Sequence, residues 1–275
     1  MINLRGLSPK SEWLRQTGLV AGFMALAVAM TWPLATHLGT HVIKAKWYYD
    51  SMVNLHILGS RIHYALGMSD SLKSVYDNYF CAPVPYSIAN NESHFGLGLL
   101  FLPLFLVTRD PLLSYNLLLL LCLGLSGYCA CLLVRDLTGS TFAGVLAGVG
   151  YAFCPFIFFE LGRVQLVAAQ WIPLFALLLH RAAANASWRN ILGLALVFAM
   201  QVGTCLYYAM FLIVYAAFVA PFLYARHRPP LPKLLPRLGV AGAICGGLVA
   251  FMVYPYFPRP DRFCDRPAEF FSIFR

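Results

Sequence analysis

The sequence predicts an all-α, polytopic membrane protein with about seven transmembrane helices and interfacial helices in its first outer loop. Three observations carry that prediction. Hydrophobic residues fill 60% of the 275 positions and charged residues 11%, and the mean hydropathy is +0.70. That leaves too little polar side chain to cover a soluble domain of this length. The apolar residues come in long Leu, Ala, Val and Phe runs, not in the short alternating strands of a closed barrel. Most of those runs approach the roughly 20 residues that a helix needs to cross ~30 Å of hydrocarbon.

The net charge of +9, from 20 basic and 11 acidic residues, fits basic cytoplasmic loops and contact with anionic lipid. No basic stripe is interleaved with stacking aromatics, so nucleic acid is not an expected partner. Of eight cysteines, Cys122, Cys129, Cys131, Cys154, Cys205 and Cys245 lie inside apolar runs, where they act as small hydrophobes. Cys81 and Cys264 fall in loops and belong to no CxxC pair, which excludes a zinc framework and leaves a disulfide between them open.

Residues 1–16 carry Arg5, Lys10 and Arg15 and read as a cytoplasmic N-terminus. The run 17–36 is too long for a signal-peptide core and lacks a small-x-small cleavage site, so it is expected to remain as transmembrane helix 1. Further apolar runs cover 94–107, 112–134, 141–159, 166–179, 191–206, 208–224 and 238–254. The first of these is short and contains Gly96, Gly98 and Pro103.

Charge decides whether it crosses. If it did, Arg181, Arg189 and the loop with Arg226, Arg228, Lys233 and Arg237 would all fall outside, against the positive-inside rule. With 94–107 interfacial or re-entrant, Arg135, Arg181, Arg189 and the 225–237 loop all fall inside. The expected organisation is therefore an outer loop at 37–111, six transmembrane helices in 112–254 with a tight hairpin near Gly203, and an outer tail at 255–275. The Pro-rich tail also has the look of a linker into something further. There is no internal repeat, heptad pattern or low-complexity stretch.

The outer loop is too long for a connector and too patterned for disorder. "YYDSMVNLHILGSRIHYALG" approximates an amphipathic helix on the membrane surface. A second helical piece is expected at 70–79, and "CAPVPYSIANNESHFG" reads as an extended, turn-rich segment. Asp50, at the start of the first surface helix, suits an N-cap and equally a general base, since a capping carboxylate keeps one oxygen free. Lys44, Lys46 and Arg163 are the cations available to it. Glu92 and His94 form either a solvated turn or a substrate-contacting pair; two ligands two residues apart do not make a metal site. Glu160 and Arg163 read as a local ion pair, with Arg163 able to bind a lipid phosphate if it shares a face with Asp50. His180 suits an interfacial anchor, and Tyr207 and Tyr208 an aromatic belt. No nucleophile elbow, Walker loop, HExxH or dinucleotide fingerprint is present.

Five blocks, in order, carry a family resemblance: "TWPLATHLG", Asp50 with Asn54, "PVPYSIANNESH", "LSGYCACLLVRDLTGS" and "YAFCPF…QLVAAQWIPL". Spread over about half the chain, from helix 1 to helix 4, they resemble a bacterial family within the GT-C class of integral-membrane glycosyltransferases, which use polyprenyl-phosphate sugars. The resemblance implies that Asp50 is the first-loop acid that activates the acceptor. It also implies that Asn54, Glu92, His94, Arg163 and Gln165 lie near an outer cavity and contact substrate. The chain departs from the family at Tyr49, where a small residue is usual, and at His56, where an aromatic is usual. The implied reaction is inverting transfer of a sugar to an acceptor glycan, lipid or protein, with no cofactor expected and no metal indicated. The rival expectation is a non-catalytic subunit or transporter-like protein on the same scaffold. A transporter is disfavoured because helices 3 to 7 hold almost no ionisable groups, Gln170 and Gln201 being their main polar residues.

Overall fold

The computed structural model describes residues 9–43, 48–68, 72–79 and 85–257. Among them are eleven α-helices and no strand. They run as α1 (Pro9–Met30), α2 (Tyr48–Ala65), α3 (Phe95–Thr108), α4 (Pro111–Thr138), α5 (Thr141–Ala152), α6 (Pro155–Phe159), α7 (Val164–Val167), α8 (Trp171–Ala184), α9 (Trp188–Thr204), α10 (Leu206–His227) and α11 (Leu231–Val253). Six stretches are long and apolar enough to span a membrane: Ser11–Met30, Pro111–Thr138, Thr141–Phe159, Val164–Ala184, Leu206–His227 and Leu231–Tyr256. Helix α9 has 17 residues, about 25 Å at 1.5 Å per residue. Helix α3 has 14, about 21 Å, and is too short to cross.

The chain is thus an all-α, multi-pass membrane protein, with several element bounds shifted from those expected. Transmembrane helix 1, placed at 17–36, starts at Pro9 and stops at Met30. There Thr31 turns its hydroxyl back onto the Ala27 carbonyl (2.7 Å), and Pro33, with no N–H, cannot carry the helix on. The helical piece expected at 70–79 is a turn across its described residues, 72–79. The Asp77 carboxylate organises it, accepting from the Lys73 and Ser74 amides (3.1 and 2.9 Å) and from Tyr86 N–H (2.7 Å). Cys81, Cys264, Lys44, Lys46, residues 1–8 of the N-terminal segment and the tail from 258 lie outside the described residues, and the disulfide question with them.

Two of the spans are broken. Pro155 restarts the fifth helix as α6, and the expected helix at 166–179 divides at Ala168–Gln170 into α7 and α8. Tyrosines take up the carbonyls freed near that second break: Tyr151 donates to Ala169 (2.8 Å) and Tyr208 to Leu166 (3.1 Å).

Helix α2 is not simply amphipathic. Ile57, Leu58 and Ile62 are buried, but so are Ser51, Asn54, Ser60 and Arg61. The helix packs on α3 and α4, so its polar face is turned into protein. Arg61 lies with its guanidinium carbon 3.6 Å from the centre of the Phe95 ring and donates to the Val75 carbonyl (3.0 Å).

Close backbone approach joins the spans. Gly148 of α5 lies against α4 so tightly that a Cβ there would sit 2.4 Å from the Gly127 carbonyl oxygen and 2.5 Å from Phe23. The main apolar cluster, with Leu58, Phe101, Tyr115, Leu119, Leu161 and Val164, links α2, α3, α4 and the 155–167 segment. Helix α4 measures the molecule: Tyr115, in its first turns, and Arg135, near its end, are about 30 Å apart along the axis. At the Arg135 end lie Glu12 (2.5 Å from Arg135), the Asp136–Arg181 pair (2.7 Å) and Arg237, which donates to the Ala186 carbonyl.

Candidate active site

The opposite end of α4 gathers most of the candidate residues. Helix α2 brings Asp50, Ser51 and Asn54 to one face, since residues one turn apart share a side. The loop and short helix after α6 bring Glu160, Gly162, Arg163 and Gln165. Three hydrogen bonds join the two segments. Arg163 Nε donates to Asp50 Oδ2 at 2.6 Å, Ser51 Oγ donates to the Gly162 carbonyl at 3.0 Å, and Asn54 Nδ2 donates to Gln165 Oε1 at 2.8 Å. Arg163 Nη1 also reaches Glu160 Oε2 at 3.4 Å, the local ion pair expected from the sequence.

Asp50 is the third residue of α2, so it does not precede the helix as an N-cap. As an acid in the first turn it still complements the helix dipole. Its side chain is 40% exposed and that of Arg163 28% exposed. The pair therefore stands open to solvent on one side, and Asp50 Oδ1 has no hydrogen-bond partner among the described residues.

His94 completes the polar chain from below. It precedes α3 in the left-handed region (φ 52°), a backbone state that is uncommon for a residue with a Cβ but enriched in His. Its Nε2 lies 2.7 Å from Asn54 Oδ1. The other end of that amide donates to Gln165, so Oδ1 is an acceptor and His94 must carry its proton on Nε2. The imidazole is 1% exposed, and burial, reinforced by the nearby Arg61 charge, depresses its pKa to about 3. His94 is thus neutral and sealed in. It holds the Asn54 amide that in turn donates to Gln165, and Asn54, 3% exposed, is nearly as enclosed.

Glu92 goes elsewhere. Its Oε2 accepts the Leu206 N–H at 3.1 Å and caps the start of α10. Burial raises its pKa, opposed by that hydrogen bond. The structure therefore unites Asp50, Asn54, His94, Arg163 and Gln165, and sends the Glu92 carboxylate to the α9–α10 junction.

Two members of the site had no signal in the sequence. Ser51 lies inside an apolar-polar mixture, and Tyr115 inside a leucine-rich span. Tyr115 is fully buried on α4 with its hydroxyl beside Ser51 and Asn54, though without a well-aligned hydrogen bond.

A cleft of about 390 Å³ shares the segment after Pro155 with this network, although its described lining holds none of the network's own residues. Its walls are largely apolar: Trp32, Pro33 and Leu34 on one side, Phe158 and Leu161 on the other, with His37 and His41 also lining it. The two imidazoles meet edge to face at 4.9 Å. Asn116 of α4 holds their turn in place by donating to the Leu38 and His41 carbonyls (2.6 and 2.7 Å). The segment after Pro155 serves both features, giving Phe158 and Leu161 to the cleft and Glu160 and Arg163 to the ion pair. Among the described residues, no three His, Cys, Asp or Glu side chains come together to hold a metal ion.

The chain matches no protein-family model, no curated protein and no solved structure.

Proposed function

We propose that this chain is a membrane glycosyltransferase that moves a sugar from a polyprenyl-phosphate donor to an acceptor glycan, lipid or protein. In this reading it sits in the cell membrane with its arginine-rich end and N-terminus in the cytoplasm, and with Asp50 and the first loop on the outer face. The sequence resemblance to the GT-C class motivates the reading. The observation that carries it is the contact between Asp50 and Arg163 at 2.6 Å, partly exposed at one end of the bundle, on a segment that also helps line an apolar cleft.

The chemistry needs little more. The acceptor oxygen attacks the anomeric carbon as its proton passes to the free Oδ1 of Asp50. The bond from that carbon to the phosphate oxygen breaks, and the lipid phosphate leaves with the electron pair. A positioned base typically contributes ~10²–10⁴-fold to such a step. Arg163 meets the departing phosphate charge, and the cleft takes the first isoprene units of the donor. Gln165, Asn54 and His94 fix the angle between the two segments that carry the pair.

The rival reading, a scaffold without chemistry, is favoured by one feature: Arg163 is already bonded to both Asp50 and Glu160. Proteoliposomes supplied with polyprenyl-phosphate hexose or pentose separate the two, with release of polyprenyl phosphate as the readout. Asp50→Asn keeps the side-chain volume and is expected to abolish release at unchanged expression and folding. Release at the unmodified rate in that variant removes Asp50 as the base, and with it this proposal.

A further inference from the structure

The basic end of the bundle holds a second cleft, about 440 Å³, between the C-terminal ends of α4, α8 and α10. Its polar lining is Asp136, His180, Arg181, Arg226 and His227. Among the described residues Asp136 is the one carboxylate in that lining, and Arg181 takes it through both Nε (3.2 Å) and Nη2 (2.7 Å). Arg226 has no ion-pair partner among the described residues. The cleft is therefore a cationic recess whose internal acid is already used.

The surface beside it indicates what kind of anion fits. Phe218, Phe222 and Arg226 follow one another at intervals of four along α10 and so form a stripe on one side of the helix. Phe218 is 70% exposed and Phe222 76% exposed. Both face outward from a helix that is long and apolar enough to span the membrane. An apolar track of that kind ending at an unpaired arginine matches a molecule with an acyl chain and an anionic head, and not a free ion.

We propose that this cleft binds the headgroup of an anionic phospholipid. Its phosphate lies against Arg226 and His227, and an acyl chain lies along Phe222 and Phe218. Basic pockets between spanning helices are suited to that role, and each basic residue near an anionic surface adds a modest attraction. The site is about a membrane's thickness from Asp50 and does not depend on the reaction proposed there.

Native mass spectrometry of the full chain, extracted from nanodiscs of phosphatidylglycerol or of phosphatidylcholine, tests the proposal. Retained phosphatidylglycerol is expected to fall about five- to thirtyfold in Arg226→Gln with His227→Gln, a loss in keeping with one or two basic groups. Arg226→Lys, which keeps the charge, is expected to restore most of it. Arg189→Gln removes the same charge from an exposed position at the same end, outside the cleft, and is expected to retain lipid like the unmodified chain. An equal loss in Arg189→Gln, or equal retention of phosphatidylcholine, reduces the effect to general surface charge and overturns the site. Displacement of the lipid by inorganic phosphate alone makes it a free-phosphate site and overturns the lipid assignment.

Discussion

Lowering the pH from 7.5 to 5 should cost this protein stability through one buried imidazole. His94 donates from Nε2 to Asn54, has no partner for Nδ1 among the described residues, and is almost fully enclosed. Its pKa is depressed from 6.5 to about 3. A histidine held neutral in this way adds its full stabilisation above the unfolded value and loses it progressively as the pH falls from about 6.5 towards 3. At pH 5 the unfolded chain would be about 1.5 pH units below its own midpoint and largely protonated, while the folded chain would not. At 1.36 kcal/mol per unit, that is about 2 kcal/mol. Reversible unfolding in mixed micelles at the two pH values measures the loss. His94→Gln supplies the control, since its amide can still donate to Asn54 Oδ1 but cannot titrate. The unmodified chain should lose about 2 kcal/mol more than the variant over that interval. An equal loss in both would show that His94 is not the neutral, enclosed donor described here, and the polar chain from His94 to Gln165 would have to be redrawn.

Other consequences are structural. Gly148→Ala places a methyl group 2.4 Å from the immobile Gly127 carbonyl oxygen and should destabilise by about 1–3 kcal/mol. Gly150→Ala on the same helix meets open space and should be neutral or slightly stabilising in the same unfolding assay. Asn116→Ala leaves the Leu38 and His41 carbonyls without their donor. It should cost about 1–3 kcal/mol and raise amide hydrogen exchange across residues 37–41, with α11 unaffected.

Much of the site was legible because its residues were out of place. Asp50 and Arg163 are ionisable groups at the edge of a chain otherwise stripped of them, and polar residues in such a setting seldom occur without a task. The family resemblance supplied Asn54, His94 and Gln165 as candidates, and two of these, Asn54 and His94, are buried. The resemblance set both near an outer cavity without any sign of their enclosure, because a motif shows which residues recur together and not which are covered by the next helix. Arg61 shows the same limit: its position in an amphipathic pattern says nothing of Phe95, thirty-four residues later, that closes over it. Ser51 and Tyr115 were invisible, since one hydroxyl in a helix and one tyrosine in a leucine-rich span are unremarkable until Gly162 and Asn54 are seen beside them.

The chain's composition and the length of its apolar runs determined by themselves that it is helical and multi-pass, because unpaired backbone groups cannot be left in hydrocarbon and only a helix pairs them within one segment. Tertiary structure alone decided where each helix breaks, which polar face of α2 is enclosed, and that Glu92 turns to cap α10 while Arg163 turns to Asp50. Those outcomes depend on donors and acceptors more than a hundred residues apart in sequence meeting at about 3 Å, and local pattern carries no record of such distances.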